Sequence, residues 1–342
     1  MTCCGKPLLG SLTGAADKSL TAAGIIRDLW AMTPGKAFLS SDEIRPLSQR
    51  SDLMGWALVL HCWGVIVAAG AVFILWPNPV TFVGAVVVIG SRQLGLAILM
   101  HEAAHNALFR TAKLNEFAGE WLCGRPILAE LTSYRHYHLT HHRHTQTDLD
   151  PDLALSSKFP TTRASLRRKF IRDLTGRTGL KQLSAQIIMS LRLAGDGDAI
   201  AAATQDAAQA FKARDLWTSA PIFLGIIVAF GLIGPWWGGL ALWLLPYLTW
   251  FQLVLRIRNI AEHGATDQSQ DPLRNVRTTK ARLLERALVA PYWVNYHLEH
   301  HLVMHVPCWQ LPRMHRMLID KGHGGAMRLA PSYRAALQEA GW

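Results

Sequence analysis

Between Ile98 and Phe109 the chain reads ILMHEAAHNALF, so His101, Glu102 and His105 spell H-E-x-x-H. Residues four apart share a helical face, which aims both imidazoles the same way. The helical zinc proteases use this spelling, with the two His as ligands and the Glu as general base. Fifteen histidines are present, however, and most fall in clusters. HLTHH supplies His138, His141 and His142 within Tyr134–Asp152, and HLEHH supplies His297, His300 and His301 within Asn295–Pro307. Spacings of three and four put each cluster on one helical face. Neutral imidazole is a common ligand for zinc, copper, iron and nickel.

A catalytic zinc takes three protein ligands and one open position. That reading leaves most of the clustered imidazoles idle. Two metals, each with several nitrogen ligands and an open position, use them all. A carboxylate-bridged di-iron bundle needs a Glu-x-x-His on each of two helices; Glu102–His105 is one, and no second occurs. A membrane haem protein would pair histidines inside the bilayer, where only His61 falls, and a metal transporter would need polar residues through its crossings.

Positioning these clusters falls to apolar elements. Half of the 342 residues are hydrophobic, and the mean hydropathy is positive, so membrane-spanning segments are sought first. The run Trp56–Leu75 carries no formal charge over twenty residues, about 30 Å of helix and one hydrocarbon core. The turn Trp76–Pro79 leads into Val80–Met100; Leu216–Gly234, the turn Pro235–Gly239 and Leu240–Leu255 repeat the pattern. The expected crossings are 56–75, 80–100, 216–234 and 238–255. Two hairpins bring all three histidine clusters to one membrane face, although they are spread over 200 residues of chain.

The net charge of +11 raises the question of nucleic acid. A nucleic-acid binder needs a basic face on a soluble fold. Here Lys and Arg crowd residues 133–214 and 256–342, and the two turns carry none, which is the positive-inside pattern instead. It places both termini and the histidines in the cytoplasm, with Trp76, Trp236 and Trp237 in the opposite aromatic belt. The expected division is a cytoplasmic segment 1–52, a membrane domain 53–315 with a cap formed by 101–214 and 256–315, and a cytoplasmic tail 316–342. Pro221 and Pro246 are candidates to kink their helices, and residues 121–132, too short to cross, to lie at the interface. Arg163–Leu193 is basic and amphipathic, either a surface helix near anionic lipid or an ordinary solvated one.

The five cysteines form no C-x-x-C pair, which argues against a disulfide framework or an iron–sulfur site. Cys3 and Cys4 are a lipidation site or two solvent cysteines, and the N-terminus lacks the apolar core of a secretory signal. Arg92 lies deep in the second crossing, roughly opposite His101, and is read as a packing contact; His61 is read as a satisfied polar contact.

Three histidine motifs in this order around two membrane hairpins, with DPD (Asp150–Asp152) after the second and NYHLEHH as the third, resemble the integral-membrane fatty acid desaturase and hydroxylase superfamily. The resemblance covers roughly Trp56 to His315. It implies an all-α membrane fold of four transmembrane helices in two hairpins, with a cytoplasmic helical cap holding a histidine-rich di-iron site. It implies two non-haem irons and the use of O2 and two electrons to break an unactivated C–H bond. A fatty acyl desaturase acting on a long-chain acyl lipid in a bacterial inner membrane is the favoured activity; a carotenoid ring hydroxylase or ketolase is the alternative. No cytochrome b5, ferredoxin or flavin signature occurs in the chain, so a separate ferredoxin or cytochrome b5-type donor is expected on the basic face.

In this reading Glu102 orients a ligand histidine rather than acting as a base. Asp148, Asp150 and Asp152 either do the same or serve turn chemistry around Pro151. His136, His144 and His305 sit at the wrong offset, and His315 and His323 read as solvent or interface residues. In RIRNIAEHG, His263 lies just beyond the fourth crossing with Asn259 four residues earlier, which resembles the additional metal-binding element of acyl-CoA desaturases. His263 is then a ninth histidine ligand and Asn259 a weaker contact through water. The competing reading is a surface histidine at a helix end stopped by Gly264.

Overall fold

The computed structural model describes residues 33–192 and 213–342. Cys3, Cys4, the first part of the expected N-terminal segment, and Leu193 lie outside the described residues. Among the described residues four helices are long and apolar enough to cross a membrane: Asp52–Leu75, Pro79–Ala104, Leu216–Ile233 and Leu240–His263. The first two pack along each other as an antiparallel hairpin. Asn78 makes the reversal possible: its Oδ1 accepts the amides of Val80 and Thr81, while Thr81 Oγ1 accepts the Asn78 amide. Pro79 then starts the second helix at a position where a missing N–H costs nothing. Trp76, Trp236 and Trp237 are exposed at the two reversals, as an aromatic belt requires.

Two of the spanning helices run further than their apolar runs. The second continues past Met100 to Ala104, so His101 lies on the spanning helix itself and His105 caps it. The fourth continues past Leu255 to His263, its last helical residue. The bend in the fourth falls at Thr249 rather than at Pro246. Proline lacks the N–H that would hold the preceding turn, and a π-helical turn, Leu240–Leu244, precedes it. Gln252 Nε2 then bonds the Tyr247 carbonyl at the bend, and Thr249 Oγ1 adds a second donor to the Leu245 carbonyl, which already accepts the Thr249 amide. Residues 118–127 form a π-helical turn and a 3-10 turn against the second spanning helix. The Trp63 indole bonds the Leu122 carbonyl there, and Trp121 is exposed.

The helix Leu131–His144 and the short helix His297–Leu302 close over the histidine end of the bundle. The amphipathic stretch divides into Arg163–Leu174 and Arg177–Arg192, broken where Gly176 takes a φ of +75°. Leu180, Ile187, Ile188 and Leu191 on it are exposed, a row that suits a membrane surface better than water. Asp173, wholly buried, pairs with Arg256 and ties this stretch to the fourth spanning helix.

Both ends of the described chain belong to the packed body. The helix Ser41–Leu47 buries Ile44 and Leu47, and its Glu43 meets Lys321 Nζ at 2.6 Å. The boundary expected at 315 falls inside the helix Leu311–Asp320. Beyond it, Leu329–Ala330 pairs in parallel with Thr278–Thr279, and Tyr333, Ala336 and Ala340 are buried. This two-residue pairing is the exception to an otherwise helical architecture among the described residues.

The hairpins put residues 78 and 157 at opposite ends of the bundle. Cysteines introduced at Asn78 and Ser157 should react with a membrane-impermeant maleimide from opposite sides. Labelling of both from the same side would break the two-hairpin arrangement.

Candidate metal centre

Nine histidines drawn from four helices converge at one end of the spanning bundle. His101 and His105 come from the second spanning helix, His138, His141 and His142 from Leu131–His144, His263 from the end of the fourth, and His297, His300 and His301 from His297–Leu302. They separate into two groups, each of which could hold a metal ion. One contains His101, His105, His138, His142 and His300; the other contains His141, His263, His297 and His301. Within each group the ligand atoms all lie within 4.8 Å of one another. The partition cuts across the sequence motifs: His300 joins the first pair, and His141 leaves its neighbours for the second group. The groups adjoin, with the His142 and His301 ring centroids 4.1 Å apart.

His142 Nε2 faces both His138 Nε2 at 3.0 Å and His300 Nε2 at 3.1 Å. His297 Nε2 faces His263 Nε2 at 2.8 Å and His301 Nε2 at 3.1 Å. A neutral imidazole nitrogen carries one proton or one lone pair, so it cannot serve two such neighbours well. Both ring nitrogens of His101 and His105, and Nε2 of His141, are buried without a hydrogen-bond partner. A cation among the lone pairs resolves this. With a metal–nitrogen bond of about 2.1 Å, ligands at right angles are about 3.0 Å apart and tetrahedral ones about 3.4 Å. The pairs at 2.8–3.1 Å are close enough to be neighbouring ligands of one ion.

Carboxylates hold the rings from outside. Asp150 Oδ1 lies 2.8 Å from His141 Nδ1, which leaves Nε2 to face the group. The same carboxylate accepts the amides of Gln146 and Asp152, so it serves both the ring and the turn. Asp152 stands 3.7 Å from His141 and accepts the Tyr137 hydroxyl. Asp148 is exposed. Glu102 Oε2 accepts the Cys308 amide at 2.9 Å, and its Oε1 stands 3.4 Å from His101 Nδ1. Tethered in this way, Glu102 suits positioning and not proton abstraction.

Burial holds His105, His138, His142, His297, His300 and His301 well below the ordinary imidazole value, and the neighbouring rings add to it. His141 goes the other way. Burial lowers it, but the Asp150 hydrogen bond and the Asp150 and Asp152 charges outweigh burial and raise it.

Asn259 is half-buried and lines a cavity with Leu155, Phe159, Lys169 and Arg256. The acidic side chain that this helix brings to the histidines is Glu262, which the motifs did not single out. Its Oε1 takes the Arg258 guanidinium at 2.7 Å and its Oε2 lies 3.6 Å from His297 Nε2. The i,i+4 pairing with Arg258 was visible in the sequence; the approach to His297 was not. His136 is exposed and His144 half-buried. His305 is buried, and burial with Arg50 and Lys36 nearby pulls it down to about 4. His315 is bound to the buried Glu299 at 2.6 Å rather than left to solvent, and His323 packs its ring on Phe38.

Two outcomes follow from this geometry. Asp150→Asn should weaken metal retention against a chelator by about 10–100-fold, while His136→Ala should leave it unchanged; equal retention in all three proteins would remove Asp150 from the site. The metal-free protein should lose thermal stability as pH falls below the ordinary imidazole value of 6.5. Six rings stay neutral in the fold and take up protons once unfolded, so their contribution is present above 6.5 and lost below it. His141 alone among the cited rings has the opposite sign. Thermal melts of chelator-treated protein from pH 7.5 to 5.5 check the direction.

Residues 76–330 match the fatty acid desaturase family. The chain is also similar to the dihydrorhizobitoxine desaturase of Bradyrhizobium elkanii, with 24% identity over 290 residues, covering 82% of this chain and 79% of that protein. The match spans three of the four crossings and all nine converging histidines, and the chain belongs to the fatty acid desaturase family.

Proposed function

We propose that this protein is a membrane-bound, O2-dependent non-haem di-iron desaturase that introduces a C=C bond into a long acyl chain. The observation that carries the reading is the convergence of nine imidazoles, five and four, at the end of a spanning bundle in a chain of this family. Iron fits the donor set: imidazole suits it, and the group of five histidines offers more ligands than a tetrahedral site takes. His101, His105, His138, His142 and His300 would hold one ion, and His141, His263, His297 and His301 the other. Asn259, one turn before His263, would add a weaker contact through water. The iron pair, when bound, supplies O2 activation and the removal of two hydrogens from neighbouring carbons, with two electrons completing the reduction of O2 to water.

The chain's own groups do the rest. Asp150 and Glu102 hold rings in place, and the spanning helices keep water from the reacting carbon and admit an apolar chain from the bilayer. Electrons come from a separate ferredoxin or cytochrome b5-type protein that docks on the basic, cytoplasmic side of a bacterial inner membrane. Oxygenation of a carotenoid ring would use the same site. The family and the Bradyrhizobium relative are both named for desaturation, which favours a double bond over an alcohol or ketone, and they favour the reaction more strongly than the substrate.

Expression in a bacterial host with matched redox partners should yield lipids with a new double bond, dependent on O2, and protein with about two irons per chain. Oxygenated pigments without new unsaturation would replace the acyl reading with the carotenoid one. Stoichiometric zinc in an active, iron-poor preparation would overturn the di-iron assignment.

A further inference from the structure

Arg92 is 5% exposed and sits within the second spanning helix, far from the histidine groups in its helical projection. A cation at that depth needs a partner. Its guanidinium bonds the main-chain carbonyl of Ala287 and lies 5.7 Å from the centroid of the Tyr292 ring. Tyr292 in turn places its hydroxyl 3.1 Å from His61 Nδ1 on the first spanning helix. The tyrosine ring enters a notch between the two helices where residue 95 is glycine. A Cβ at Gly95 would stand 3.0 Å from that ring and 3.2 Å from Cys62 Sγ. Segment 282–293, which connects the Thr278–Thr279 strand to the third histidine group, is therefore pinned to both helices of the first hairpin.

The depth of the pins matters. His61 lies five residues inside the apolar run that begins at Trp56, and Arg92 eight residues short of Met100. At 1.5 Å per residue these are about 8 Å and 12 Å from the histidine-side ends of the runs. Both contacts draw the segment toward that depth. Its composition agrees. Leu283 and Leu284 are 83% and 73% exposed with nothing packed over them, while Arg282 and Arg286 flank them and are exposed too. Arg286 lies 5.9 Å over the Trp293 ring, a cation–aromatic pair suited to the membrane boundary.

Backbone that enters hydrocarbon must satisfy its own polar groups. The short helix Leu283–Leu288 ends with carbonyls that have no following turn. The Glu285 carbonyl accepts the amides of Val289 and Ala290, both at 2.8 Å, and the Ala287 carbonyl accepts Arg92. The buried cation thus meets a carbonyl at the end of this helix. Tyr292 and Trp293 follow with φ of +55° and +57°, a left-handed pair that turns the chain back toward His297.

We propose that residues 282–293 form a re-entrant element in the leaflet on the histidine side, and that Arg92 is the latch that holds it there. Leu283 and Leu284 lie among the lipid acyl chains, with Arg282 and Arg286 at the phosphates. The element runs directly into Asn295 and His297, so the latch also sets the third histidine group relative to the bilayer. The membrane-spanning reading is its premise; turnover is not.

A nitroxide label at Leu284→Cys, with Cys3 and Cys4 changed to serine, tests it in reconstituted bilayers by power-saturation spectroscopy. The label should be open to dissolved oxygen and severalfold less open to an aqueous nickel complex than the same label at the exposed Asp271. Equal nickel access at both positions would overturn the proposal, and so would shielding from both reagents, which would mean protein covers the leucines. Arg92→Met should raise nickel access at position 284, and Arg92→Lys, which keeps a cation for the Ala287 carbonyl, should restore most of the shielding. Unchanged access in Arg92→Met would remove the latch. If that variant does not reconstitute, Arg92→Gln takes its place with an intermediate rise expected. Each measurement reads depth, so its failure is separable from failure of the desaturase assignment, which lipid profiling reads.

Discussion

Neutral imidazole nitrogens packed about 3 Å apart in a dry interior are the constraint on which the rest of this protein depends. A lone pair taken out of water without a partner is expensive, and here several are buried together. The arrangement suits a receptor for cations. Everything around it serves to bring the rings together and keep them uncharged: burial lowers most of them, and Asp150 fixes the one it raises.

The apolar hairpins supply the convergence. The second helix of the first hairpin and the last helix of the second each carry histidine past the end of the apolar run. The cap then adds two short helical segments whose own i,i+3 and i,i+4 spacing presents further rings inward. Residues 33–52 and 316–342 pack on this cap through Ile44, Leu47, Leu318 and Tyr333, so the site rests on a layered support and not on loose ends.

Hydrocarbon imposes a second rule, that no backbone polar group goes unmet. It explains features that look unrelated in the sequence. Gln252 meets the Tyr247 carbonyl at the bend of the fourth helix. Arg92 meets a carbonyl at the helix end beside Tyr292. A charge in a spanning segment and a bend near a proline are both answers to the same absence of water.

The crossings, the histidine clusters and the family were legible in the sequence because each depends on short-range periodicity. Twenty apolar residues measure a bilayer, and spacings of three and four mark a helical face. Even His263 was within reach, since it follows a crossing as His101 does. The tertiary structure decided what periodicity cannot express. It divided the rings five and four across the motifs, sending His300 to the first group and His141 to the second. It brought Glu262 to His297 and set Asn259 on the wall of a neighbouring cavity. It turned the C-terminal stretch from a tail into part of the core, and joined Arg92 to a carbonyl 195 residues away. Those pairings are set by where whole helices pack, and a helix's own sequence fixes which face is presented but not which neighbour meets it.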